Sequence, residues 1–262
     1  FVEGGKGDDI LIGGSANPST GYFLPDKYRF NDDFGHDYLI SFFALDLVDT
    51  NSTYRNPEGE GAITSDKLEF KNTFGSTATD IINNAEDNED GWAVISLGSN
   101  SLTMFGISTQ DLKPDYFYII PTIENTILGT EDDGISETHI GTTGNDYIQG
   151  GYDPVGNYSD GPDTLNGKEG DDVLIGGPNR RGVGGYDSDT YIFEADSGND
   201  LIIGFLFDGT GYSNEYNDII ELPYNVNGSG ISSFDDVLAS TTNNADGWAV
   251  IDLGGGNSIT LH

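Results

Sequence analysis

The chain has 262 residues, with 45 Asp and Glu against 10 Lys and Arg, a formal charge of −35 and no cysteine. An anion of that strength is repelled by phosphate backbones, which argues strongly against nucleic-acid binding, and its excess charge favours solubility and self-repulsion of the unfolded chain. Disulfides play no part, and no apolar run approaches the length of a transmembrane helix.

The first element is a turn sequence. Residues 4–14, Gly-Gly-Lys-Gly-Asp-Asp-Ile-Leu-Ile-Gly-Gly, fit the nine-residue pattern G-G-x-G-x-D-x-U-x, where U is a large aliphatic residue, and then begin it again. Glycine at the first, second and fourth positions permits positive φ and leaves carbonyl oxygens facing the turn. Asp9, at the sixth position, adds a carboxylate, and Leu11, at the eighth, starts a very short strand with its side chain inward. Stacked turns sit about 4.8 Å apart. Carboxylates of neighbouring turns then repel by about 3.5 kcal/mol per pair at an effective dielectric near 20. A divalent cation between the turns reverses that sign, and a flexible cage of about six to eight hard oxygens suits Ca²⁺ better than Mg²⁺.

After Gly14 the regular step breaks, because Asp26 follows twelve residues later where an ideal repeat needs four. We read an eight-residue expansion, the loop 16–23; a degenerate full repeat would fill the same length. Further along, Asp37 approximates another sixth position. Residues 66–70, 92–97 and 101–105 read as antiparallel strands separated by Gly/Asn turns, and 76–84 as a short helix. A roll too thin to bury much by itself needs such a cap. The acidic stretch 129–140 reads as a linker between domains 1–128 and 141–262.

The turn sequence returns at 141–151 and at 167–177, each time running on into a second Gly-Gly. One match arises by chance in a Gly- and Asp-rich chain; three with the same continuation do not. The twelve-residue interval also returns, from Gly151 to Asp163 and from Gly177 to Asp189, giving loops 153–160 and 179–186. Successive nonapeptides alternate sides of a roll. Long loops therefore gather along one edge, and the short turns with Asp9, Asp146 and Asp172 along the other. The larger pattern is a duplication: residues 4–42 align without gaps on 167–205, with 17 identities in 39 positions, including Asp26/Asp189, Tyr28/Tyr191 and Asp37/Asp200. Residues 218–222, 232–240 and 246–254 answer 66–70, 76–84 and 90–98, and Trp92 and Trp248 fall at equivalent places. The two copies are predicted to share one fold. Phe1 is not a start Met and no signal peptide is in view, so the chain reads as part of a longer protein.

These nonapeptides, the segment 189–193 followed by 198–202, and the terminal 112–117 resemble two tandem RTX (hemolysin-type calcium-binding) domains over nearly the whole chain. The resemblance implies an all-β protein of two tandem right-handed parallel β-rolls, each capped by antiparallel strands, with several Ca²⁺ ions between turns. It also implies export by type I secretion machinery to the extracellular space or cell surface, with folding delayed until calcium is met outside. Carried over, the side-chain ligands are Asp9, Asp26, Asp37, Asp146, Asp163, Asp172, Asp189 and Asp200. The backbone ligands are Gly5, Gly7, Thr142, Gly144, Gly151, Lys168, Gly170 and Gly177. One ion for each of these eight aspartates neutralises sixteen charges and still leaves the chain strongly acidic. Leu24, Pro25, Pro162 and Asp187 stand where small residues are expected, and Lys168 replaces the glycine found at Gly5, so the long-loop turns fit less well than the short ones.

No catalytic motif emerges: there is no G-x-S-x-G, H-E-x-x-H or Walker loop, and His36, His139 and His262 share no pattern. The acid pairs Asp8/Asp9 and Asp171/Asp172 resemble glycosidase carboxylates but sit inside the turns. The expected role is non-enzymatic. Beside it stand two alternatives. One is a surface adhesin or layer spacer. The other is a glycan-binding accessory module, with Tyr22, Phe23, Tyr152, Tyr158 and Tyr186 stacking on a cell-surface or polysaccharide ligand; against it, these rings would cover the roll's own edge.

Overall fold

The computed structural model describes residues 2–13, 26–42, 66–72, 77–130, 135–151, 161–177, 188–207 and 217–262. The loops 16–23, 153–160 and 179–186, with their aromatic residues, lie outside the described residues, as do Leu24, Pro25 and Asp187. The chain divides into two compact units, Phe1–Ile120 and Pro121–His262.

In unit 1 the strands are β1 (Ile10–Ile12), β2 (Lys27–Phe30), β3 (His36–Ile40) and β4 (Lys67–Lys71). Helix α1 (Ala78–Ile82) follows, then β5 (Ala85–Asp87), β6 (Ala93–Leu97), β7 (Asn100–Met104) and β8 (Phe117–Ile120). One sheet has the order β1-β3-β7-β6-β5 and the other β2-β4-β8. Pairing is parallel within β1-β3-β7 and β2-β4-β8, and antiparallel only where β5 and β6 add to β7. Successive strands thus alternate between two parallel sheets, the path of a β-roll. Each strand is short because the chain must turn after one or two inward side chains. Leu11 faces Leu39, and Tyr28 faces Leu68, which faces Phe117; all are buried between the sheets. Phe30, Phe70 and Phe117 stack up the second sheet with ring centroids 4.8 and 6.1 Å apart.

In unit 2, β9 (Asn125–Leu128), β10 (Thr138–Ile140), β11 (Asp146–Gln149), β12 (Thr164–Asn166), β13 (Val173–Ile175), β14 (Thr190–Ile192), β15 (Asn199–Ile202) and β16 (Ile219–Glu221) alternate in the same way. Helix α2 (Phe234–Ala239) and strands β17 (Thr241–Asn243), β18 (Ala249–Gly254) and β19 (Asn257–Leu261) close the end. The sheets are β17-β18-β19-β15-β13-β11-β9 and β10-β12-β14-β16.

The duplication survives in the registers. Ile10 pairs with Tyr38 as Val173 pairs with Leu201, the aligned residues of the second copy. The two caps repeat as well, each with a short helix and two antiparallel strands leading back into the roll. Trp92 packs on Phe105 with centroids 4.2 Å apart, and Trp248 on His262 at 4.0 Å.

Two expectations are corrected. Residues 66–70 and 218–222 are not antiparallel cap strands: β4 and β16 pair in parallel with β2 and β14, so each is one more coil of a roll. The acidic stretch 129–140 carries β10, which pairs with β12, and β9 just before it pairs with β11. Both belong to unit 2 and form its first coil, which ends each sheet and lacks the glycine signature.

On the outer side of β2 and β4, Arg29 sits in register with Glu69. The guanidinium Nη2 is 2.8 Å from Glu69 Oε2, and the Glu69 side chain is fully buried. Removing one partner of a buried pair leaves an uncompensated charge. Arg29→Ala is expected to cost about 3 kcal/mol, and Arg29→Met with Glu69→Leu to recover most of it. Urea denaturation in saturating Ca²⁺ checks both.

Candidate metal centres

The turns are joined by two hydrogen-bond ladders built from adjacent sequence positions. At the sixth position, each Asp after the first on its edge accepts from the backbone N–H of its counterpart one coil earlier. On the short-turn edge Asp9 N–H donates to Asp37 Oδ1 (3.0 Å), Asp146 to Asp172 (2.7 Å) and Asp172 to Asp200 (2.9 Å). On the long-loop edge Asp26 N–H donates to Asp66 Oδ1 (2.8 Å), Asp163 to Asp189 (2.9 Å) and Asp189 to Asp218 (3.0 Å). Glu137 starts that edge by donating its N–H to Asp163 Oδ1 at 2.8 Å. The fifth position runs the other way: His36 N–H donates to Asp8, Asp171 N–H to Asn145 and Asn199 N–H to Asp171, at 2.8–3.0 Å. Asn100 and Asn257 end the short-turn edge of the two units, accepting from the N–H of Gly35 and Gly198.

The structure therefore brings Asp9 and Asp37, and separately Asp146, Asp172 and Asp200, onto short-turn edges, and Asp26, Asp163 and Asp189 onto long-loop edges, as the alternation of nonapeptides predicts. Sequence reasoning missed Asp66, Asp218 and the fifth-position residues as ladder members. The signal was present: Asp66 and Asp218 are each followed two residues later by an inward apolar residue, Leu68 and Ile220.

Asp37, Asp163, Asp172, Asp189 and Asp200 each spend Oδ1 on the ladder. The other oxygen is directed at the first glycine of the turn, so that a Cβ at Gly4 would meet Asp9 Oδ2 at 2.7 Å, and one at Gly167 would collide with Asp172 Oδ2. The second and fourth positions of these turns have positive φ, +88° and +112° at Gly5 and Gly7, +77° and +120° at Lys168 and Gly170. Lys168 holds this glycine conformation with its N–H on Asn166 Oδ1 (2.9 Å) and its Nζ 3.1 Å from Glu194. Gly151 and Gly177 follow β11 and β13; Gly151 is buried and Gly177 has φ +143°.

Electrostatically the site is under-coordinated. Oδ2 of Asp9, Asp37, Asp172 and Asp200 is buried and meets no hydrogen-bond donor among the described residues. Burial, and then the charge of Asp146 and Asp171, pushes the Asp172 carboxyl up to about 7. Burial and the neighbouring Asp172 push Asp200 up to about 9. Asp37 is raised by burial and by Asp9, and Asp218 is pushed up to about 6 by burial. Desolvation thus outranks the like-charge repulsion anticipated from the stacking distance, because the ladder draws the carboxylates out of water. Among the described residues, no three His, Asp or Glu side chains converge into a cage of their own. The donor set that fits the buried oxygens is one carboxylate per turn plus backbone carbonyls, all hard oxygen, which is calcium chemistry.

Parallel coils with carboxylate rungs in successive turns define a calcium-binding β-roll. The sequence model described as "RTX calcium-binding nonapeptide repeat (4 copies)" matches at residues 1–17, 136–153 and 158–179, so the chain carries repeats of the RTX calcium-binding family. These repeats bind Ca²⁺. Among solved structures the chain is similar to the extracellular lipase LipA from Serratia marcescens, at 18% identity and a TM-score of 0.34, with 99% of this chain and 35% of that chain covered. It spans only a minor part of that protein's length. No curated protein matches the sequence.

Proposed function

We propose that this chain is a non-enzymatic calcium-binding region of a larger secreted protein, in which each unit is one RTX roll. The four buried Oδ2 atoms without donors carry this reading, since such atoms are costly unless a cation meets them. Asp9, Asp37, Asp172 and Asp200 serve as side-chain ligands on the short-turn edges, and Asp26, Asp163 and Asp189 on the long-loop edges, with carbonyls of Gly5, Gly7, Lys168, Gly170, Gly151 and Gly177 completing the sets. Bound Ca²⁺ supplies the positive charge these oxygens lack. The chain's own residues supply the rungs, the turns and the inward apolar side chains. The acid pairs that resemble catalytic carboxylates are engaged in the ladders, as Asp8 and Asp171 both accept from the next coil. That supports a structural role over hydrolysis. Low cytosolic calcium keeps the chain unfolded for type I secretion, and extracellular calcium folds it. Among the described residues no helix is long and apolar enough to cross a membrane.

Calorimetric titration of the EDTA-stripped chain tests this reading. Several Ca²⁺ ions are expected to bind per chain, and Mg²⁺ at equal concentration to bind far more weakly. No heat with Ca²⁺, or an equal response to Mg²⁺, would overturn it.

A further inference from the structure

The three short turns are not alike. In two of them the second and fourth positions have positive φ; in the turn 141–146 neither Thr142 nor Gly144 does. Threonine is β-branched and resists that region, so its presence forces a different backbone. The Thr142 N–H is then turned onto Asp146 Oδ2 at 2.5 Å, and its hydroxyl lies 3.2 and 3.3 Å from the two carboxylate oxygens. Asn125, on the preceding coil, adds its Nδ2 to Asp146 Oδ1 at 2.9 Å. Asp146 is fully buried, yet its carboxylate is met by protein donors on both oxygens. Asp172 and Asp200, one and two coils further on, each have a buried oxygen with none among the described residues.

Resting on the calcium reading above, the geometry points to Asp146 as a closed, metal-free rung. Thr142 and Asn125 take the place a cation holds elsewhere on that edge, and calcium binding on the short-turn edge of unit 2 begins with Asp172 and Asp200. The roll thereby has a rung between its first and second coils completed by its own donors, a template for the calcium-dependent coils. Lys168 marks the contrast: at the same position it accepts positive φ, and its turn keeps the open carboxylate of Asp172.

Calcium bound per chain, measured by equilibrium dialysis and atomic absorption on the full chain, tests this. Asp172→Asn is expected to lose at least one ion. Asp146→Asn is expected to keep the wild-type number, and Thr142→Gly, which frees the backbone and releases Oδ2, to gain one. Loss of an ion in Asp146→Asn, or no gain in Thr142→Gly, would overturn the closed rung while the wild type still binds calcium. If Asp146→Asn does not fold, Thr142→Gly decides alone. A wild-type chain that binds no calcium would instead remove the reading on which the inference rests.

Discussion

Chelation of divalent ions is expected to unfold both rolls. Oδ2 atoms of Asp9, Asp37, Asp172 and Asp200 are buried without donors among the described residues, and each leaves a desolvation cost of about 1–3 kcal/mol or more for a charged group. Two such atoms fall in each unit, and their joint cost is a large part of a domain's stability of about 5–15 kcal/mol. Strands with only one or two inward side chains leave little surplus to offset them, so the binding free energy of the ions becomes folding free energy. With EDTA, far-ultraviolet circular dichroism should lose its β signal. Millimolar Ca²⁺, the range of extracellular modules, should restore it. The caps, where Trp92 meets Phe105 and Trp248 meets His262, should retain residual order, visible as tryptophan emission that shifts less than the β signal.

In the absence of calcium, acid should take over part of its role. The folded-state values of Asp172, Asp200 and Asp218, about 7, 9 and 6, all lie above the ordinary 3.8, and Asp37 is raised as well. Protons therefore bind the folded roll more tightly than the unfolded chain. Their stabilisation is fully present below about pH 4 and is lost as pH rises through those folded-state values. Asp236, held low at the exposed start of α2 by Ser232 and Ser233, acts oppositely but only below its ordinary range. Metal-free chain should thus gain β signal and urea resistance on going from pH 9 to pH 5. With Ca²⁺ present the dependence reverses, because protons compete for the same oxygens: the calcium concentration at half-folding should rise as pH falls. A metal-free chain equally disordered at both pH values would contradict the role given to these carboxylates.

Much of this architecture was legible in the sequence. Gly-rich turns with a sixth-position Asp, and the fixed interval before Asp26, Asp163 and Asp189, separated the two edges correctly. The gapless duplication predicted registers that recur in β1/β3 and β13/β15. What escaped notice was carried by weaker signals. Asp66 and Asp218 lack the glycines of a nonapeptide, and only the inward residue two places on identifies them as rungs. The first coil of unit 2 hides in an acidic stretch because Glu137 stands in for the usual Asp and no Gly-Gly precedes it. Thr142 stands at a position read as a backbone ligand; that its N–H closes onto Asp146 depends on φ, which composition does not show. The order of the electrostatic terms was also invisible, since spacing gives repulsion directly, whereas desolvation depends on how deeply the ladder draws each carboxylate in.

Small-angle scattering of one sample, first with EDTA and then with excess Ca²⁺, tests the central claim most directly. A folded chain of about 120 residues has a radius of gyration near 14 Å and an unfolded one near 35 Å, so the transition is large for either unit. Calcium-coupled folding predicts an expanded chain in EDTA that contracts reversibly when Ca²⁺ is added and not when Mg²⁺ is. Superimposable curves with and without calcium would contradict it.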